Sequence, residues 1–128
     1  MLTIEQSISR LKINLVRKRP FYGVILMKLN DMKESNTTNI MSTDGENIYY
    51  NKKYMEQLNE AERNFYLLHQ LYHCIFMHPS RMINKDIKIA NIAADFLVNY
   101  YIDMEKNEFK KAGIIINIPK DAYMIKNE

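Results

Sequence analysis

Leu67-Leu68-His69-Gln70-Leu71-Tyr72-His73-Cys74-Ile75-Phe76-Met77 carries apolar side chains almost all the way round a helix, and two histidines four residues apart interrupt them. A helix that is apolar on every face belongs in an interior, not on a surface. Successive residues turn by about 100°, so positions i and i+4 lie only about 40° apart and one turn along the axis. Both imidazoles can therefore reach one tetrahedral ion, and the spacing recurs where helices hold zinc. The plain alternative is a pair of core histidines, each satisfied by a hydrogen bond. It accounts less well for two at this spacing on a buried helix, with a third, His78, close by.

Working outward, Asn59 can cap this helix, and Glu62 three residues on completes a capping box. Pro79 ends it near Met77, because the residue before a proline is pushed out of α geometry. Upstream, Ile4, Ile8, Leu11, Leu15 and Val16 fall at helical spacing between Thr3 and about Arg19, and Pro20 closes that segment. Phe21 to Leu29 reads as a buried strand and Asn30 to Asn36 as a polar loop. Thr37 to Met41 and Asn47 to Asn51 read as strands flanking Ser42 to Glu46, where Asp44-Gly45 signals a hairpin turn. Downstream, Ser80 to Lys88 is a polar connection, and a second helix runs from about Ile89 to Lys106. Gly113 then precedes a last candidate strand, Ile114 to Ile116. The expected fold class is α+β: a small, mostly antiparallel sheet packed on the buried histidine helix, with two or more further helices.

A chain of 128 residues suits one domain, so residues 1–128 are read as a single unit. The net charge of +3 is small and the basic residues are scattered. The one tight cluster, Arg17-Lys18-Arg19, sits at a helix end that favours cations. Nucleic acid is therefore not an expected partner. Cys74 is the only cysteine, which rules out an internal disulfide and fits a reducing, cytoplasmic setting. The first twenty residues lack the apolar core of a signal peptide, and no apolar run approaches the roughly 20 residues that span a bilayer. No membrane association is expected.

A helix of this kind normally presents Glu directly after the first histidine, as the base that takes a proton from metal-activated water. Gln70 has a similar shape but no basic oxygen, so the chain should bind metal while being badly impaired in hydrolysis. An engineered Glu-to-Gln replacement and a natural pseudoenzyme both fit. Two histidines also leave one zinc ion short of a third protein ligand. On the second helix Asn91, Asp95 and Asn99 recur at i, i+4 and i+8 and form one narrow polar stripe in apolar surroundings. Asp95 is the best third ligand, with Asn91 and Asn99 orienting ligands from behind. His78 competes as a ligand or supporting donor if the break at Pro79 redirects it. Tyr66, Tyr72 and Tyr101 are read as core rings before oxyanion donors, and Cys74 as packing.

His69-Gln70-Leu71-Tyr72-His73-Cys74 with His78, then Asn91-Ile92-Ala93-Ala94-Asp95 and Asn99, resembles the predicted metal-dependent peptidases of the zincin type. These occur N-terminal to von Willebrand factor A-like regions in bacterial and phage proteins. Arg19-Pro20-Phe21-Tyr22-Gly23, the Thr43-Asp44-Gly45 turn and Tyr49-Tyr50-Asn51 extend the likeness over roughly residues 8 to 105. The resemblance implies a zincin-like domain with His69 and His73 as ligands of one Zn2+ ion. It also raises the case for Asp95, and implies a peptide or protein substrate paired along an edge strand near the metal. Two features depart from the family pattern. Gln70 replaces the catalytic Glu, and no von Willebrand-like region follows, so the chain is either a minimal version or a piece of a longer protein.

Overall fold

The computed structural model describes residues 3–19, 22, 32–37, 40–44, 46–76 and 87–118. In chain order the elements are α1 (Ile4–Lys18), β1 (Met32–Glu34), β2 (Met41–Thr43), β3 (Ile48–Tyr50), α2 (Lys52–Met55), α3 (Glu60–Ile75) and α4 (Ile87–Lys111). The fold is α+β, with a small three-stranded sheet and several helices.

Both long helices with described N-termini begin on reciprocal caps. Thr3 accepts from the Gln6 backbone N–H while Gln6 returns a bond to Thr3 N–H, and Asn59 and Glu62 do the same for α3. Each box satisfies donors that a helix start would otherwise leave open. Asn59→Ala should therefore destabilise the chain by about 1 kcal/mol, read as a lower urea midpoint at unchanged slope. At the far end of α4, Gly113 adopts φ +83°. Ile114 N–H reaches Phe109 O at 2.9 Å and Gly113 N–H reaches Lys110 O at 3.0 Å. This is a Schellman ending, with glycine at the left-handed position and Ile114 and Phe109 both buried beneath it.

The expected hairpin forms, but its first strand is displaced. β2 shares only Met41 with the expected Thr37 to Met41 and takes in Ser42 and Thr43 of the expected turn. It pairs antiparallel with β3, Met41 opposite Tyr50 and Thr43 opposite Ile48. Asp44 accepts from the N–H groups of Glu46 and Asn47 and from the Tyr49 hydroxyl. Those bonds hold its carboxyl down at about 2. Further expectations need correction. Asn30 to Asn36 is not all loop, because Met32–Glu34 forms β1 and pairs in parallel with β3, giving the order β1-β3-β2. Lys33 and Glu34 are exposed, so the strand lacks the apolar alternation that would announce it. The sheet is accordingly mixed, with one parallel and one antiparallel pair, and not mostly antiparallel. Ile114 to Ile116 joins no ladder. It lies extended along the first half of α3, where Asn64 Nδ2 donates to Ile115 O at 3.0 Å and Asn117 N–H to Ala61 O at 3.2 Å. The second long helix also runs further than expected, to Lys111. The strand expected over Phe21 to Leu29 lies outside the described residues except for Tyr22, whose N–H bonds to Arg19 O in a helical turn.

α3 is the centre of the molecule. It packs against α1, β2 and α4, and all but one residue from Arg63 to Tyr72 is buried. Leu11 and Leu15 of α1, Leu68 and Leu71 of α3, Val98, Ile102 and Phe109 of α4, and Ile48 of the sheet meet in one core. Buried Arg63 ties three helices together, donating to Met55 O and to Ser7 Oγ at 3.0 Å each. At the other end Glu105 Oε2 accepts from Arg19 at 2.9 Å and from the Tyr22 hydroxyl at 3.0 Å, clamping the end of α1 to α4.

Candidate metal centre

The capping box at Asn59 sets where α3 starts, and the apolar faces around His69 and His73 set its depth. The histidine pair thus comes to face α4 from inside the protein. From α4 the stripe Asn91, Asp95, Asn99 faces back. Among the described residues His69, His73 and Asp95 form a group that could hold a metal ion, one ligand atom from each lying within 4.8 Å of the others. His73 Nε2 is 2.9 Å from Asp95 Oδ1, His69 Nε2 is 3.1 Å from the same oxygen, and the two Nε2 atoms are 3.1 Å apart.

Protonation explains why such a triangle points to a cation. His69 Nδ1–H donates to Asn99 Oδ1 at 2.7 Å, which leaves the lone pair on Nε2. That lone pair converges with the Asp95 oxygen and the His73 nitrogen. Burial pushes His73 down towards its neutral form, against the pull of Asp95. For Asp95, burial works upward, but hydrogen bonds and charge from His69 and His73 outweigh it and hold the carboxyl below its usual value. A His73 pushed towards neutrality beside a carboxyl that favours ionisation suits a divalent metal, which takes imidazole and carboxylate in those forms. Zinc holds nitrogen at about 2.0–2.1 Å, placing tetrahedral ligand atoms about 3.3 Å apart. The observed spacings lie within a few tenths of an ångström of that, so the donor set fits the ion.

Asn99 is buried and reaches the group through His69. Removing such an orienting partner usually weakens metal binding 10- to 100-fold. Asn99→Ala should therefore lower metal affinity by about tenfold or more, as measured by competition with a chromophoric chelator. Asn91 is half-buried on the same stripe, and among the described residues no side-chain hydrogen bond ties it to the three. His78 lies outside the described residues. Tyr72 is committed elsewhere, its hydroxyl 3.3 Å from that of Tyr22 and its phenol held protonated by burial. Tyr101 stacks on Tyr72, and Tyr66 packs edge-on against Phe65. Cys74 lies 3.5 Å from Thr43 Oγ1, and burial raises its thiol, which disfavours a thiolate ligand.

Gln70 is buried beside His69, yet its side chain is turned away from the triangle and donates through Nε2 to Met41 O of β2 at 3.0 Å. No local signal in the sequence announces this bond, because it joins residues 29 apart. The ring of Phe65 lies 5.8 Å from that of His69, one turn earlier on α3.

No curated protein and no solved structure matches the chain. A family described as "Putative metallopeptidase domain" matches residues 3–126, nearly its whole length, and takes in α3, α4 and the sheet together. The chain belongs to this metallopeptidase domain family.

Proposed function

We propose that this chain is a zincin-like, zinc-dependent peptidase domain in which His69, His73 and Asp95 hold one Zn2+ ion and Gln70 stands where the general base is expected. The observation that carries the reading is the convergence of two Nε2 atoms and one carboxylate oxygen, 2.9–3.1 Å apart, between buried α3 and the facing side of α4. When bound, zinc supplies Lewis-acid activation of water and of the peptide carbonyl. The chain's own residues do the rest. Asn99 holds the ring of His69 through its side-chain oxygen, and Phe65 packs beside that ring from the preceding turn. Gln70 can donate and accept hydrogen bonds but cannot take a proton at neutral pH, so peptide hydrolysis by this sequence should be weak or absent.

The test is a broad peptide-cleavage assay on the zinc-loaded chain and on its Gln70→Glu variant. Cleavage by the variant that zinc chelation abolishes is the expected result. A zinc-loaded variant that cuts nothing would favour a second reading, a non-catalytic, metal-stabilised interaction domain (a pseudopeptidase). One observation already favours that second reading: Gln70 makes a bond to Met41 O that an ionised Glu could not make.

A further inference from the structure

Gln70 and Cys74 each follow one of the histidines, so together they lie about 100° round α3 from the metal-facing pair. His69 and His73 look towards α4, whereas Gln70 and Cys74 look towards β2, where they meet Met41 and Thr43 respectively. Four residues of helix advance about 6 Å and two residues of strand about 6.7 Å. The two contacts therefore recur in step and set helix and strand in one register.

β2 ends the sheet among the described residues. In its pairing with β3, Asn51 N–H bonds to Ile40 O and Asp44 N–H to Asn47 O. Backbone groups alternate along an antiparallel strand, so the carbonyl of Met41 points out of the ladder. Met41 is 4 % exposed, and a buried carbonyl left without a donor is costly. Gln70 Nε2 supplies that donor. A carboxylate of the same shape has no hydrogen to give and would set oxygen against oxygen.

We propose that Gln70 is a positioning residue for the metal centre. Its amide clamps α3 to the edge strand, fixes the rotation of the helix about its own axis, and so aims His69 and His73 at Asp95. The side chain at position 70 thereby serves the site through the strand, whether or not the chain turns over peptides. This rests on the metal reading given above.

The experiment compares Zn2+ affinity and the visible absorption of the Co2+-loaded protein for the natural chain, Gln70→Met and Leu11→Ala. Met keeps the length of Gln without its donor, and Leu11→Ala removes buried packing from α1 as a control for general destabilisation. Gln70→Met is expected to lose about tenfold or more in Zn2+ affinity and to shift the Co2+ bands, while Leu11→Ala lowers Tm but moves neither. Affinity within about twofold and a superimposable Co2+ spectrum in Gln70→Met would overturn the proposal. If Gln70→Met does not fold, the natural chain answers by NMR. Slow hydrogen exchange of the Gln70 side-chain amide in the zinc-loaded protein supports the clamp, and exchange at the rate of a free glutamine overturns it. Failure of the natural chain itself to take up zinc would overturn the metal reading and this proposal with it, an outcome distinct from a loss confined to Gln70→Met.

Discussion

Asp95→Ala should reduce Zn2+ affinity by about a hundredfold to several thousandfold, with a smaller loss of stability in the metal-free protein. Structural zinc sites are worth about 10–16 kcal/mol, and one ligand of three accounts for about 3–5 kcal/mol of that. Without metal, the Asp95 carboxylate faces two imidazoles, and burial pushes one of them, His73, towards neutrality. Those imidazoles nonetheless hold the carboxyl below its usual value, so its ionised form favours the fold and its removal costs some stability even without metal. Calorimetric titration with Zn2+, with melting curves recorded in chelator and in excess zinc, separates the two effects. The gap in Tm between metal-free and zinc-loaded protein should collapse in Asp95→Ala. A variant that binds zinc as tightly as the natural chain would remove Asp95 from the ligand set.

Phe109→Ala is expected to be among the most damaging single changes for stability, at about 3–5 kcal/mol. The ring is 0 % exposed, packs at 5.6 Å centroid separation against Tyr22, and lies under the Arg19 guanidinium at 5.2 Å. It also supplies the carbonyl that closes the Schellman ending of α4 with Ile114 packed over it. The truncation opens a cavity where α1 and α4 are pinned by Arg19, Glu105 and Tyr22. Against a total stability of about 5–15 kcal/mol this is a large fraction, visible as a Tm lower by about 10–20 °C. Zinc affinity of the folded fraction should change little, because Phe109 lies more than three turns along α4 from Asp95.

Legibility in the sequence followed the reach of the interactions. The helix bearing His69 and His73, its cap at Asn59 and the stripe Asn91-Asp95-Asn99 all depend on residues within a few turns, and periodicity displays them. The choice of Asp95 as partner of the histidines rests on chemistry, since an ion short of a third ligand suits a carboxylate on a narrow polar stripe in apolar surroundings. What periodicity could not show was long-range or backbone-mediated. Lys33 and Glu34 of β1 are exposed and charged, so the parallel pairing with β3 shows no apolar alternation there. Ile114 to Ile118 alternates in burial as a strand would, but its backbone is spent on α3 and not on the sheet. The contact of Gln70 with Met41 O depends on how the edge strand lies across the helix, which residue identities alone do not fix.

The most direct test of the metal centre is native mass spectrometry of the zinc-replete chain beside His69→Ala and His73→Ala, with total zinc measured on the same samples. One zinc ion per natural chain, lost from both variants, is the expected result. A natural chain that carries no zinc under those conditions, or that carries it undiminished after both substitutions, would contradict the assignment of these helices as a metal site.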